Sequence, residues 1–334
     1  MKLKKRLLGI GIISLALITT ACSGTGAGGA QGDEWKPTKP IEMIAPAGAG
    51  GGWDTTARVM QTVMEKEKLL DKSMAVVNKP GGGGAVGWSY IHKKKADPHT
   101  LFVTSPPIMF VPLNGQSEYG HQDFTPIAGV IADYGAFVVK KDAKWKDINE
   151  LMDDLKKDPQ SASIVGDSAP GSMDHMQFVK AANKAGVDVK KLKYVSMQDG
   201  GGMSQLLGGH VDVYSTGLAE ATEQARAGKV RVLAITAEER LEGETISDFP
   251  TLKEQGIDDS FIVWRGIMGP PDMDPNAVKY YEQKIKAMLE TEEWKAQADK
   301  LGWTENFMTS EEFGKHLDEE YKLFEELMKE AGLK

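Results

Sequence analysis

The chain has 334 residues, a formal net charge of −8, 41% hydrophobic residues and a single cysteine. This acidic balance argues against a nucleic-acid-binding protein, because such binding depends on a basic surface. One cysteine excludes an intrachain disulfide and a cysteine-based metal site, and the length exceeds what one small core supports, so two domains are expected.

The N-terminus has the pattern of a secretory signal. Four basic residues lie between Lys2 and Arg6, and the apolar run from Leu7 to Ile18 has 12 residues, fewer than the ~20 that a membrane-spanning helix needs. The following Thr19-Thr20-Ala21-Cys22 resembles a bacterial lipobox. We therefore expect residues 1–21 to be a lipoprotein signal peptide, with simple secretion as the alternative.

Cys22 is then the lipidation site, and the expected location is extracytoplasmic, with palmitate or a similar acyl chain anchoring the protein to the cell membrane. Residues 22–33 are expected to form a flexible tether, because Ser23 to Asp33 contains five glycines in 11 residues and offers nothing to bury. Loss of the signal's four basic residues would change the net charge from −8 to −12.

Short apolar segments alternate with helical patterns through the rest of the chain. Strands are expected at residues 40–45, 74–78, 100–104, 163–165 and 193–195. The first helix is expected from Asp54, as its N-cap, to about Lys68, with Met60, Val63 and Met64 on its apolar face. Such alternation predicts parallel βαβ units, whose loops meet at the carboxyl ends of the strands.

The loop of residues 46–53 carries four glycines immediately before the first helix. Glycines allow close backbone approach, and first-turn amides carry partial positive charge, so the loop is either an anion cradle or simply a mobile connection. A dinucleotide fingerprint starting at Gly48 would need glycine where Trp53 stands, and no Walker lysine follows any glycine run, which argues against a nucleotide.

Seven motifs in their order and spacing are similar to those of one transport family. They are Pro46-(x3)-Gly50-Gly51-(x2)-Asp54-(x3)-Arg58, Val77-Asn78-Lys79-Pro80-Gly81, Asp97 with Thr100-Leu101, Gly171-Ser172 with His175, Leu206 to Asp212, Pro250 to Gly256, and Trp264-Arg265-Gly266 with Gly269-Pro270. The chain resembles the substrate-binding protein of a tripartite tricarboxylate transporter, the TctC or Bug family.

The resemblance implies an α/β fold like that of type II periplasmic binding proteins, with two α/β lobes and a ligand cleft between them. Lobe 1 would be discontinuous, comprising residues 34–131 and 264–334, and lobe 2 would comprise residues 132–263. The extended residues 126–140 and 260–269 suit the two crossings between lobes.

Two C-terminal helices are predicted from the residues themselves. Asp274-Pro275 opens one helix, and Thr309 and Glu312 form a capping box for the last. The side chains expected to face the core are Val278, Tyr281, Ile285 and Met288 in the first, and Phe313, Leu317, Tyr321, Phe324 and Met328 in the second.

The family resemblance also implies the ligand-binding residues. From the first lobe these are Gly51, Gly52, Trp53, Asp54 and Ser105, and from the second Ser168, Gly171, Ser172, His175 and Gly201.

The roles of three of these side chains stay open. Trp53 either lies over the apolar part of the ligand or wedges against the opposite lobe. Asp54 would mainly cap the helix and fix the loop, with a water-mediated or hydroxyl contact to ligand second. His175 either donates to ligand or is structural. Arg58 is interpreted as a packing or ion-pair residue.

We therefore expect a monomeric solute-binding protein that captures a small carboxylate, first of all citrate or another tricarboxylate, for membrane permease subunits. The alternative is a carboxylate sensor for a two-component system, and an extracellular hydrolase is a third reading. The sequence offers little for an enzyme, because Gly166 to Pro170 departs from the nucleophile elbow and no His-Glu-x-x-His pair exists. No catalytic residue, metal or cofactor is expected.

Overall fold

Strands and helices alternate along the chain, as the hydrophobic pattern predicts. The computed structural model describes residues 35–197, 201–330 and 332–334, so the predicted signal peptide, Cys22 and the tether lie outside the described residues. The strands of the described part are β1 (Ile41–Ala45), β2 (Met74–Asn78), β3 (Thr100–Thr104), β4 (Thr125–Lys140), β5 (Ser163–Gly166), β6 (Lys193–Ser196), β7 (Val213–Gly217), β8 (Val230–Ile235), β9 (Ile262–Gly269) and β10 (Thr304–Met308). Its α-helices are α1 (Gly52–Lys66), α2 (Ala85–His92), α3 (Pro107–Leu113), α4 (Ile148–Lys157), α5 (Met173–Lys184), α6 (Gly202–Leu207), α7 (Leu218–Arg226), α8 (Pro275–Leu289), α9 (Glu292–Leu301) and α10 (Ser310–Glu330).

One long strand, β4, belongs to both regions of a mixed sheet. The strand order is β2-β1-β3-β9-β4-β7-β5-β6, and β8 and β10 also pair with β4. Strand β9 pairs antiparallel with β4 from Thr125 to Tyr134, whereas β7 pairs with β4 only from Gly135 onward. Strands β1, β2 and β3 are parallel to one another, and so are β5, β6 and β7. The mixed α/β fold expected from the sequence is confirmed.

The residues predicted to cross between lobes are β-strands in the structure. Strand β4 spans all of residues 126–140 and begins one residue earlier, and β9 lies within residues 260–269. Both are almost fully buried, which explains why they read as continuous apolar runs and not as alternating patterns. The exact lobe boundaries at residues 131/132 and 263/264 stay a prediction.

The predicted C-terminal helices are present with their caps. The Asp274 carboxylate accepts the Asn276 N–H at 2.8 Å, and Thr309 and Glu312 exchange bonds as a capping box. All the predicted core side chains are buried except Tyr321, which is half-buried and packs against the His121 ring at 5.0 Å between centroids. No described helix, including the 21-residue α10, is long and apolar enough to span a bilayer.

Helix α1 begins earlier than the sequence predicts. Its N-cap is Gly51, so the prediction of Asp54 as N-cap is wrong. Asp54 lies in the first turn, and its buried carboxylate reaches back to accept the Gly50 N–H at 2.8 Å. Arg58 donates to the same carboxylate at 2.9 Å, which confirms its interpretation as an ion-pair residue.

Candidate functional site

A cleft of about 900 Å³ opens along the carboxyl ends of the parallel strands. Loops after β1, β2 and β3 line one side of it. The other side is lined by the loop after β5, the end of β7 and helix α7. Strands β4 and β9, which belong to both sheet regions, contribute Asp133, Tyr134, Val263 and Arg265. This is the position at which open α/β sheets bind their ligands.

The first glycine loop is fixed from behind by Asp54. Besides Gly50, the Asp54 carboxylate accepts a hydrogen bond from Asn78 Nδ2 at 2.9 Å, which ties the loop after β1 to the end of β2. Burial alone would raise the pKa of Asp54, but hydrogen bonds from Arg58, Gly50 and Asn78 lower it below its ordinary value. Asp54 is therefore an ionised support for the loop, and it is Gly48, Gly50 and Gly52 that line the cleft.

Trp53 and Ser105 meet on the lining of the cleft. The Trp53 indole N–H donates to Ser105 Oγ at 2.8 Å, and both side chains are buried. This bond joins the start of α1 to the residue after β3. Because the only polar group of the indole is used within the protein, Trp53 offers the cleft an apolar surface of fixed position.

A second glycine loop, Gly81 to Gly84, lines the same side of the cleft. All four residues have positive φ, at 127°, 57°, 64° and 115°, so the loop depends on glycine at each position. None of the four glycines was among the predicted site residues, although Gly81 ends one of the family motifs. Gly81, Gly82 and Gly83 are exposed on the cleft lining, whereas Gly84 is buried against the Trp88 ring.

Arg265 is a buried cation in the cleft, and it is held by Asp133. Its guanidinium donates to the Asp133 carboxylate at 2.8 Å, with 9% and 7% of the two side chains exposed. Arg265 Nε has no hydrogen-bond partner among the described residues. Arg265 belongs to a family motif but was not among the predicted site residues, although a charge inside an otherwise apolar strand was a signal that could have placed it in the site.

The loop after β5 is tied to its neighbours through Ser168 and Asp167. Ser168 Oγ accepts the Asp174 N–H at 2.9 Å, and the Ser168 carbonyl accepts from Ser196 Oγ at 2.8 Å. The Asp167 carboxylate accepts the Gly202 N–H at 2.8 Å and a hydrogen bond from the Tyr214 hydroxyl. Ser168 and Ser172 line the cleft, as do Asp167 and Tyr214.

This side of the cleft carries four carboxylates, which we call the acidic wall: Asp167, Asp174, Glu220 and Glu223. Burial, and then the charges of Asp167 and Glu220, raise the pKa of Asp174 to about 7. The pKa of Glu220 is also raised. The main cause is the loss of solvent around the carboxylate, which disfavours its charged form, and the negative charge of Asp133 adds to the effect. None of the four was among the predicted site residues.

Five of the ten predicted site residues line the cleft, and five do not. Those on the lining are Gly52, Trp53, Ser105, Ser168 and Ser172, whereas Gly51, Asp54, Gly171, His175 and Gly201 are not among the lining residues. Gly51 is the N-cap of α1, and Gly201 precedes α6 beside residues 198–200, which the structure does not describe.

His175 is part of a separate small cavity. Its Nδ1 accepts the Gly171 N–H at 2.9 Å, its ring stacks on Tyr194 with centroids 4.1 Å apart, and it lines a cavity of about 210 Å³. Burial lowers the pKa of His175 to about 4, so the imidazole is neutral at physiological pH. These contacts favour a structural role for His175 over donation to the ligand, the two alternatives that the sequence left open. Within the described residues there is no group of three or more potential metal ligands.

Comparison with known proteins agrees with this architecture. Residues 56–333 match the family model TctC, described as "Tripartite tricarboxylate transporter family receptor". A relative from Cupriavidus necator, described as "UPF0065 protein in gbd 5'region", is 26% identical over 307 residues, covering 91% of this chain and 90% of the relative.

Solved structures give the same result at the level of the fold. A TctC solute-binding protein from Polaromonas superposes with a TM-score of 0.68 at 28% identity, over 88% of this chain and 99% of that one. MatC from Rhodopseudomonas palustris with bound malate has a TM-score of 0.74 at 21% identity, over 87% of this chain and 99% of that one. R. palustris Rpa4515 with adipate has a TM-score of 0.77 at 22% identity, over 89% of this chain and 98% of that one.

Proposed function

The chain belongs to the TctC family of tripartite tricarboxylate transporter receptors, and from this premise we propose that it captures a small carboxylate in its cleft for the membrane subunits of such a transporter. Membership makes it an extracytoplasmic solute-binding receptor with the fold of type II periplasmic binding proteins. The observation that carries the carboxylate proposal is the buried Arg265 beside Gly52 of the first glycine loop, in a cleft that the second glycine loop also lines.

The energetics require that both sides of the cleft take part. Micromolar binding corresponds to ~8.2 kcal/mol, association itself costs on the order of 4–15 kcal/mol, and each charge-assisted hydrogen bond returns ~1.5–3 kcal/mol. One glycine loop cannot supply this. Donors on the opposite side, such as the Ser168 and Ser172 hydroxyls, would be added when the cleft closes, so binding and closure would be one coupled event.

The carboxylate class has more support than any particular carboxylate. Two structural neighbours hold malate and adipate, which are dicarboxylates, whereas the sequence resemblance ranks citrate or another tricarboxylate first. We keep citrate as the first specific candidate. The acidic wall opposes a bare trianion, however, so citrate would need a compensating positive charge.

The anchor and the partners are part of the same proposal. A receptor with an acyl chain on Cys22 and a glycine-rich tether would remain near the membrane in which its permease subunits lie. We propose that it acts as a monomer. Binding, not catalysis, is the activity that family membership assigns.

A thermal-shift panel on the detergent-solubilised full chain tests the proposal. Free ligand at 100 times its dissociation constant stabilises the folded state by ~2.7 kcal/mol, so the melting temperature should rise by several degrees with at least one of citrate, malate or adipate. Glucose should give no shift. A panel in which glucose raises the melting temperature and no carboxylate does would overturn the carboxylate proposal.

A further inference from the structure

The two sides of the cleft differ in charge. One side presents the backbone of two glycine loops, the side chains of Trp53 and Ser105 and the Arg265 guanidinium. The other side presents the acidic wall, and no lysine or histidine lies among the described lining residues. Among the lining residues Arg265 is the single cation, and it already donates to Asp133.

Hydrogen-bond donors and Arg265 compensate only part of the negative charge of the acidic wall. Asp167 receives the Gly202 N–H and the Tyr214 hydroxyl, and Arg265 lowers the pKa of Glu220 by its charge. Against this, Asp167 and Glu220 both raise the pKa of Asp174, and Asp133 raises that of Glu220. Carboxylates that repel one another in a partly dehydrated cleft are unfavourable unless a cation approaches or a proton is taken up.

We propose that the ligand presents a positive charge to the acidic wall, formed by Asp167, Asp174, Glu220 and Glu223, while its carboxylate faces the glycine loops and Arg265 across the cleft. This inference rests on the proposed function and narrows it to carboxylates that carry or bring a cation. Such a ligand matches the charge on both sides, whereas a bare dicarboxylate or tricarboxylate matches only one.

Two kinds of ligand would bring both a carboxylate and a positive charge. One is an ammonium group on the same molecule as the carboxylate. The other is a divalent metal ion already chelated by the ligand. The described residues contain no group of three or more potential metal ligands, so a metal would have to arrive with its own carboxylate ligands rather than occupy a site built by the protein.

Matched ligand pairs test the inference by isothermal titration on the detergent-solubilised full chain at about pH 8. Glutamate is compared with glutarate and aspartate with succinate, since each pair differs only in an ammonium group. Citrate is compared with and without Mg²⁺. We expect the positively charged member of at least one pair to bind about tenfold more tightly, and the pair that shows the difference identifies the source of the charge.

Charge-removing variants connect the preference to the acidic wall. Glu220→Gln should reduce the tenfold ratio to about one, because it removes a negative charge that faces the ligand. Glu239→Gln removes an equal charge from an exposed position that does not line the cleft, and it should leave the ratio unchanged.

Plain glutarate, succinate and metal-free citrate binding at least as tightly as their positively charged counterparts would overturn the inference and leave the proposed function intact. An unchanged ratio in folded Glu220→Gln would also overturn it. Failure of every carboxylate in the panel to bind would count against the proposed function itself.

Discussion

Gly52 lies directly against the guanidinium of Arg265, so that a Cβ atom at residue 52 would overlap Nη1. The first residue of α1 thus has to be glycine because a side chain there would overlap Arg265 of β9, which lies more than 200 positions later in the chain. The same guanidinium donates to Asp133 of β4. The first glycine loop, β9 and β4 therefore form one connected site, in which a change at Gly52 is transmitted to the only cation that the described residues place on the cleft lining.

Gly52→Val should abolish carboxylate binding while the fold is largely retained. The added side chain would displace the Arg265 guanidinium and occupy the cleft, whereas the rest of α1 would keep its packing. Ligand binding by titration and helix content by circular dichroism measure the two effects. Gly51→Ala is the matched control, because residue 51 does not line the cleft and a Cβ there makes only ordinary contacts, the nearest being the Gly48 carbonyl oxygen at 3.5 Å. Unchanged affinity in folded Gly52→Val would show that the carboxylate binds at another site.

Arg265→Met should destabilise the protein and prevent binding. Removal of one partner leaves the Asp133 carboxylate buried without its cation, which costs about 3–5 kcal/mol, measurable as a lower urea midpoint. The double variant Arg265→Met/Asp133→Leu should recover most of the stability but not the binding, since it removes both buried charges. Recovery of binding in the double variant would show that Arg265 does not contact the ligand.

The strands and their order of appearance could be predicted because each is a local apolar run. Residues 74–78 and 100–104 are strands with the predicted bounds, and the caps at Asp274 and Thr309 depend on neighbours within three positions. The N-terminus of α1 could not be placed in the same way. Asp54 has the residue type of an N-cap, but its carboxylate is drawn into bonds with Gly50, Arg58 and Asn78, and the last of these is 24 positions away.

The chemistry of the cleft is harder to predict from the sequence than its location. Gly52, Ser105, Ser168 and Ser172 were predicted from the family resemblance, and all four line the cleft. The acidic wall carries no such local signal, since Asp167 and Glu220 lie on separate elements and become neighbours only when β5 and β7 pair. Whether a carboxylate faces a cleft or solvent depends on this pairing.

Cys22→Ser should release the protein from the membrane fraction. Without the thiol no acyl chain can be attached, and a polar glycine tether has no membrane affinity of its own. Fractionation of cells followed by immunoblotting measures the distribution. Ser23→Ala, beside the acylation site, is the control and should remain membrane-bound. A Cys22→Ser protein that stays with the membrane after a salt wash would contradict the lipoprotein prediction.

Asp174→Asn should change the pH dependence of stability in a defined direction. The pKa of Asp174 is about 7 in the folded protein against ~3.9 in an unfolded chain. Between these values the folded state holds a proton that unfolding releases, so this group's contribution to stability falls as pH rises from about 4 through 7, by at most ~1.4 kcal/mol per pH unit. Burial also raises the pKa of Glu320 to about 7, which adds a slope of the same sign in both proteins. The difference between variant and wild type in urea denaturation at pH 5, 6, 7 and 8 therefore isolates Asp174. The variant should gain stability relative to the wild type as pH rises, and parallel profiles would show that Asp174 is already ionised throughout this range.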